Sequence, residues 1–381
     1  ITGKVTGAID NINLDLNTDI VGGKVNDFIV KNINGKLHFD SGDKFSLDQT
    51  VILSDNSSLK LNGEFLTDKQ IMDLDIDVDR VALDFISSAL VSLPELQGYF
   101  QGDLSIEGNI DKPSFDGKLD LYLDKMNIDL PQTVSNCQGE IELNDQSLVL
   151  SEFTGEYGGK KVQLSGEIRP FASKDFWNIN LQGKDLYFEY GSFVGKIDPD
   201  IQIRGQFFKP VISGDILTHD FNASTPFSWP VSGEESNFSP EINLILYPGD
   251  NVYFKQEDRL NILIEEGSLN LIYEDDQFKV EGSLNSNQGS FDYYNNKFIM
   301  DSGRVIFHRY NGYIPQVHVT AATMVDGYRV IARVDGPANQ MITSFDSQPR
   351  LSRDEIINLL TKKGGIGEII SGDDFDLVDV I

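Results

Sequence analysis

The chain has 381 residues, with 60 acidic side chains against 31 basic ones and a formal net charge of −29. That surplus disfavours broad electrostatic binding to nucleic acid or to an anionic membrane surface. A single cysteine, Cys137, rules out an internal disulfide, and the interleaving of Asp and Asn with Ile, Leu and Phe rules out a disordered acidic chain.

The chain enters directly in an alternating pattern, Val5, Ile9, Ile12, Leu14, Leu16, with no initiator Met, signal peptide or transmembrane run. It reads as a piece of a longer protein whose N-terminal anchor lies elsewhere. Residues 1–83 read as successive strands. In Met72-x-Leu74-x-Ile76-x-Val78 every intervening residue is an aspartate, Asp73, Asp75 and Asp77. Strand geometry sends successive side chains to opposite faces, so one face is apolar and the other acidic. Asp84 to Leu93 breaks the alternation: Ile86, Ala89, Leu90 and Leu93 share a helical face, Asp84 is an N-cap and Pro94 a stop.

Residues 99–190 return to strands, and here the chain repeats itself. Asp103 to Leu119 carries Leu104, Ile106, Gly108, a Lys112-Pro113 turn, Phe115 and Gly117. About one hundred residues on, Ile201, Ile203, Gly205, Lys209-Pro210, Ile212 and Gly214 recur in the same spacing. Leu59-x-Leu61-x-Gly63 is likewise echoed by Val162-x-Leu164-x-Gly166. A duplicated strand–turn–strand predicts a repetitive, elongated β body over 1–350, with Gly108, Pro113, Gly117, Gly205, Pro210 and Gly214 as its structural turn residues. Residues 218–240, rich in Pro, Ser and Asn, read as a loop. Strands resume at Ile242 and continue to Val334, with a hairpin turning at Asn295-Asn296. The tail 351–381 changes character. Ser352 with Glu355 three residues on is a capping box that opens a helix over 353–362, and Gly364-Gly365 ends it.

No constellation supports catalysis, so the chain reads as a non-enzyme without cofactor or metal. Asp73, Asp75, Asp77 and Asp79 line one wet face and do not converge on Ca²⁺. His38, His219, His308 and His318 lack metal-ligand spacing. Gly364-Gly365-Ile366-Gly367 follows a helix where a phosphate loop requires a strand, and Gly191 to Gly195 lacks nucleophile-elbow spacing. Tyr293, Tyr294 and Phe298 read as strand packing or face lining.

Three segments resemble the TamB family, the inner-membrane-anchored partner of the translocation and assembly module, within the wider AsmA-like group. The first is the Gly-x-apolar-x-Gly strand pair with its Lys-Pro turn, following a helix such as Phe85 to Leu93. The second is Phe298 to Ala322. The third, the most specific, is Val334-x-Gly336-Pro337 followed by Pro349-x-Leu351-Ser352 and Ile356-Ile357-x-Leu359-Leu360-Thr361. Family members carry further strands after that helix, so the extreme C-terminal strands lie outside this chain too. The resemblance implies a β-taco, a long sheet curled into a groove, in the periplasm of a diderm bacterium. Its partners would be phospholipid acyl chains and a BamA- or TamA-like outer-membrane barrel, in lipid transport, in assembly or secretion of outer-membrane proteins, or in both.

Elementary physics agrees with a lipid groove. Some twenty-five strands about 4.8 Å apart would reach on the order of 100 Å. Carrying a phospholipid with about thirty methylenes through water costs roughly 24 kcal/mol, which an apolar gutter offsets. On this reading Leu74, Ile76, Val78, Leu104, Ile106, Leu119, Leu121, Ile201, Ile203, Phe207, Ile216, Leu269 and Leu271 line the groove. Pattern alone leaves open a solenoid or sandwich whose apolar residues pack on one another. A surface adhesin stalk fits least, because the outer face reads as Asp, Asn, Gln and Lys.

Overall fold

The computed structural model describes residues 1–8, 11–25, 28–41, 43–83, 96–126, 131–170, 172–224, 239–256 and 259–362. Among them the chain is all-β, as its alternation predicts: twenty-five strands, a 3-10 turn at Arg309–Asn311 and one α-helix, α1 (Arg353–Thr361). The helix expected over 84–93 lies outside the described residues. The chain divides into two compact units, Ile1–Gln182 with Arg204–Phe207, and Gly183–Ile203 with Phe208–Ile381.

The first unit holds β1 (Thr2–Ala8), β2 (Asn11–Val25), β3 (Phe28–Asp40), β4 (Lys44–Leu53), β5 (Ser58–Leu66), β6 (Ile71–Ala82), β7 (Leu96–Asn109), β8 (Lys112–Met126), β9 (Val134–Asp145), β10 (Ser147–Tyr157), β11 (Lys160–Ile168) and β12 (Trp177–Gly183). From β1 to β11 each strand pairs antiparallel with the next. The register aligns like with like. Leu37, Leu47, Gly63, Leu74, Ile106 and Phe115 form one cross-strand row, and Gln49, Leu61, Ile76, Leu104, Gly117 and Leu143 the next. Residues directly opposite in a ladder share a face, so these rows lie on one side of the sheet. Asp73, Asp75 and Asp77 fall between them on the other side, opposite Glu64, Asn62 and Lys60.

The core of this unit sits along a line of bulges. The register slips between Val78 and Val81 in β6 and between Leu150 and Phe153 in β10, with Arg80 (φ 51°) and Glu152 (φ 47°) left-handed. Bulges bend a strand and sharpen its twist. Val30, Leu53, Val78 and Val81 cluster at this level with Ile33, Val51, Leu59 and Phe100 around them, and Leu83, Leu123 and Cys137 form a second cluster. Val81 is fully buried within this cluster, at the level where the bulges bend the strands.

Glycines hold the strands together at this face. Gly102 (φ 140°) stands opposite Leu119, and Gly117 (φ 142°) opposite Leu104. A Cβ on Gly117 would collide with the Asp103 carbonyl and lie 2.7 Å from Leu104 Cα. Gly117 and Gly214 therefore lie inside strands, where they permit close approach rather than turning the chain. Gly108 pairs with Pro113 beside the turn at Ile110 and Asp111. In the duplicated hairpin the same geometry returns, because a Cβ on Gly214 would meet the Asp200 carbonyl and Ile201 Cα.

The second unit holds β13 (Leu186–Tyr190), most of β14 (Phe193–Gly205), β15 (Pro210–Ala223), β16 (Glu241–Pro248), β17 (Val252–Gln256), β18 (Leu260–Leu263), β19 (Glu266–Glu274), β20 (Gln277–Ser286), β21 (Gln288–Tyr293), β22 (Asn296–Phe307), β23 (Gln316–Val325), β24 (Tyr328–Pro337) and β25 (Ile342–Gln348). β15 pairs in parallel with β16 and β17, while β13–β14 and the ladders that join β16 to β25 among the described residues are antiparallel. Of the stretch 218–240 read as a loop, Thr218 to Ala223 belong to β15. Thr218 and Phe221 are buried there, and Thr218 Oγ1 donates to the Tyr247 carbonyl at 3.1 Å. Residues 225–238 lie outside the described residues. The hairpin joining β21 to β22 turns one residue earlier than expected. Tyr294 (φ 47°) and Asn295 (φ 56°) are both left-handed, as a two-residue type I′ turn requires, and Asn296 already pairs with Tyr293.

Gly117→Ala should cost more than about 3 kcal/mol in denaturant unfolding, since a backbone carbonyl cannot move aside. Gly23→Ala, with nothing within 4 Å of the added Cβ, should stay within about 0.5 kcal/mol of the parent. Equal losses at the two sites would contradict this account of the glycines.

Candidate functional site

The candidate site is the apolar face, and the register places most of the residues expected to line it. In the first unit Leu74 faces Ile106, Ile76 faces Leu104, Val78 faces Gly102, Gly102 faces Leu119, and Phe100 faces Leu121. All seven expected residues of this unit that lie in strands therefore share one face. Val78 is buried, and the other six are half-buried. In the second unit Ile216 faces Leu246, Leu246 faces Leu269, and Leu244 faces Leu271, so Ile216, Leu269 and Leu271 again share a face. Ile201 and Ile203, two residues apart in β14, project to one side, and Ile201 meets Gly214 of that face. Phe207 is placed differently. It lies after β14, 43% exposed, against Phe176 and Trp177 at ring-centroid distances of 4.8 and 5.9 Å.

The opposite face is wet and ion-paired. Lys60 reaches Asp77 at 2.9 Å, Lys44 reaches Glu64 at 2.6 Å, and His38 Nδ1 lies 2.6 Å from Asp15. Lys118 bridges Glu140 and Glu142 at 2.9 and 2.8 Å, and hydrogen bonds to Glu142 and Glu140 push its pKa up. Exposed pairs of this kind contribute little stability each. Their effect is to keep charged groups off the apolar side and to break up the acidic field.

One polar contact interrupts the apolar rows. Thr18 and Gln49, 6% and 8% exposed, flank Gly35 in the register. Thr18 Oγ1 donates to Gln49 Oε1 at 2.7 Å, and Gln49 Nε2 donates to the Lys36 carbonyl at 2.8 Å. The missing side chain of Gly35 is what lets the two meet.

At the far strands of the second unit the face is covered by the chain itself. Ile356, Leu359 and Leu360 of α1 form a buried cluster with Phe298, Ala321, Val325, Val330 and Ala332. The capping box forms as expected: Ser352 Oγ accepts the Glu355 N–H at 3.4 Å, and the Ser352 N–H donates to Glu355 Oε2 at 2.8 Å. Burial and the neighbouring Tyr294 push the Tyr293 phenol, at the rim of this cluster, up to about 12. Sequence reasoning found α1 but not its seat. The available signal was Ala321 and Ala332, small residues in phase with Val317, Val319, Val330 and Val334.

Among the described residues one group has metal-like geometry. Asp185, Asp198 and His219 come from β13's approach, β14 and β15, with His219 Nε2 3.0 Å from Asp198 and 3.5 Å from Asp185. Burial pushes Asp198 up, but the Asp185 N–H and the His219 ring outweigh it and hold the carboxyl below its usual value. The three groups satisfy one another as a hydrogen-bonded cluster, a convergence that linear spacing does not reveal. Asp73, Asp75, Asp77 and Asp79 stay spread along the wet face. Among the described residues no helix is long and apolar enough to cross a membrane.

These features define a β-sheet protein with one apolar and one wet face. A family model of the TamB C-terminal domain matches residues 151–375, more than half of the chain, and the chain belongs to that family. It is a family of transport and assembly proteins at the outer membrane of diderm bacteria, where members span the periplasm and associate with a TamA- or BamA-like partner. No curated protein matches the chain.

Hydrogen bonds from the Ser352 hydroxyl and N–H hold the Glu355 carboxyl below its usual value. A depressed carboxylate stabilises the folded state above its unfolded pKa and loses that contribution as pH falls through the folded one. Amide exchange at Ser352–Glu355, corrected for intrinsic rate, should therefore quicken below about pH 4.5 and not above it. Glu355→Gln should abolish the step, and a step that persists in Glu355→Gln would point to another group.

Proposed function

We propose that this chain forms part of a hydrophobic groove that carries phospholipid between the inner and outer membranes. The observation that carries the reading is the run of half-buried aliphatic side chains on one face, continuous by register from β2 to β11. Among the described residues no helix lies over it in the first unit. A fully self-filled core would bury these side chains as Phe298 and Val330 are buried in the second unit. Instead Leu74, Ile76, Leu104, Ile106, Leu119 and Leu121 keep partial access, the condition for receiving an acyl chain. The wet face opposite supplies solubility, and the one-sided pattern removes most of the transfer penalty along the path.

A second reading rests on a separate observation. β25 pairs with β24 on one side, and among the described residues no strand pairs with its other edge. A free edge near the C-terminus can accept a strand from an outer-membrane barrel or its client. The two activities are compatible in one protein.

Native mass spectrometry of the chain purified from cells should find bound phospholipid, and Ile106→Asp should reduce its occupancy at least tenfold while circular dichroism stays unchanged. A lipid-free parent chain would sink the groove reading. Crosslinking from Ser344 of β25 to a BamA-like barrel would then favour the assembly reading.

A further inference from the structure

Within the second unit the apolar face changes character along the strand order. At β16 and β19, Leu244, Leu246, Leu269 and Leu271 are half-buried. Beyond them, Phe298, Ala321, Val330 and Ala332 are 0–1% exposed, and α1 lies over them. The register makes these one surface. Leu271 faces Val280, and Val280 is in phase with Leu284. Leu284 faces Val305, which faces Val317, in phase with Ala321.

The seat of α1 is a recess. Ala321 stands opposite Ala332, and Ala332 opposite Phe345, so two methyl groups lie where neighbouring rows carry valine or leucine. Ile356, Leu359 and Leu360 fill the space above them. Together they bring about a dozen aliphatic carbons, the scale of a substantial stretch of one acyl chain. Beside this packing, two hydrogen bonds tie the helix near its ends. The Leu351 N–H donates to Ser347 Oγ at 2.8 Å, and Asn296 Nδ2 donates to the Leu360 carbonyl at 2.8 Å. Asn296 Oδ1, buried in the same contact, finds no partner among the described residues. A helix of nine residues is not stable alone in water, so α1 persists because it is docked.

We propose that the recess beneath α1 is a further acyl-chain site of the groove, held by α1 until a lipid chain displaces it. The proposal rests on the lipid reading above and adds where that path is closed. Exchanging helix side chains for acyl methylenes replaces one apolar filling by another, so neither state leaves the recess bare. Displacement also releases the carbonyl of Leu360 and the end of a short helix to water, where both are solvated.

The test uses the intact chain and a phosphatidylcholine carrying a diazirine in one acyl chain, with labelled peptides identified by mass spectrometry. In the parent chain, label is expected on β19, around Leu269 and Leu271, and at least fivefold less on β23 and β24. Leu360→Asp, which expels the helix, should raise β23–β24 labelling to the level of β19. Ser352→Ala, which only loosens the helix, should give an intermediate level. Retained label on β19 and an unchanged strand signal in circular dichroism show that the sheet persists in each variant. Exchange of the Ile356–Thr361 amides should quicken when unlabelled phosphatidylcholine is added to the parent chain. Equal labelling of β23–β24 with and without the helix, or label that never reaches β23–β24 while β19 is labelled, would overturn the proposal alone. Absence of label everywhere would overturn the lipid reading with it.

Discussion

An antiparallel ladder keeps its apolar side chains on one face only while its register holds, since a slip of one residue sends every side chain to the other side. The rest of this structure depends on that constraint. Aspartates alternate with Leu74, Ile76 and Val78, so a slip would drive acids into the apolar side. Glycines enforce the register sterically. Gly102 and Gly117 each face a leucine so closely that no Cβ fits, and a strand shifted by one position would bring a side chain against a carbonyl. The pairing is thereby specified twice, by charge on one face and by fit on the other.

A one-sided sheet raises the question of what covers its apolar side. The two units answer in different ways. In the first, the rows around Val81 are buried against one another at the level of the bulges, and the flanking rows stay half-buried. In the second, the chain turns back through the cis Gln348-Pro349 peptide and lays α1 over β22 to β25. The outward ion pairs, from Lys60–Asp77 to Arg329–Asp301, contribute to this indirectly by giving charged groups partners away from the apolar side.

Much of the fold was legible because its signals are local. Period-two alternation marked the strands, Ser352 and Glu355 marked the start of α1, and the repeated Gly and Pro spacing marked a duplicated hairpin. Long-range placement was not legible. Gly117 looked like a turn residue because glycine is permissive, yet its use here is close approach across a ladder. Thr218 to Ala223 looked like a loop because polar residues crowd it, yet a parallel ladder and a buried Phe221 hold it in β15. Asp185, Asp198 and His219 meet only because three separate segments converge, which no spacing rule anticipates. Of the candidate site, the in-phase aliphatics of β6 to β8 could be read directly from alternation, whereas Phe207, beyond the end of its strand, could not.

The duplicated hairpin has a consequence for how such a molecule can grow. Asp103 and Asp200 present their carbonyls to Gly117 and Gly214 in the same way, so each copy carries its own fit and needs nothing from the other. An antiparallel hairpin also returns the chain to the edge from which it left, with its apolar side unchanged. Copying one therefore lengthens the body by a fixed step without rebuilding a core. Evolution can therefore set the number of strands as a tailor sets a hem, one hairpin at a time.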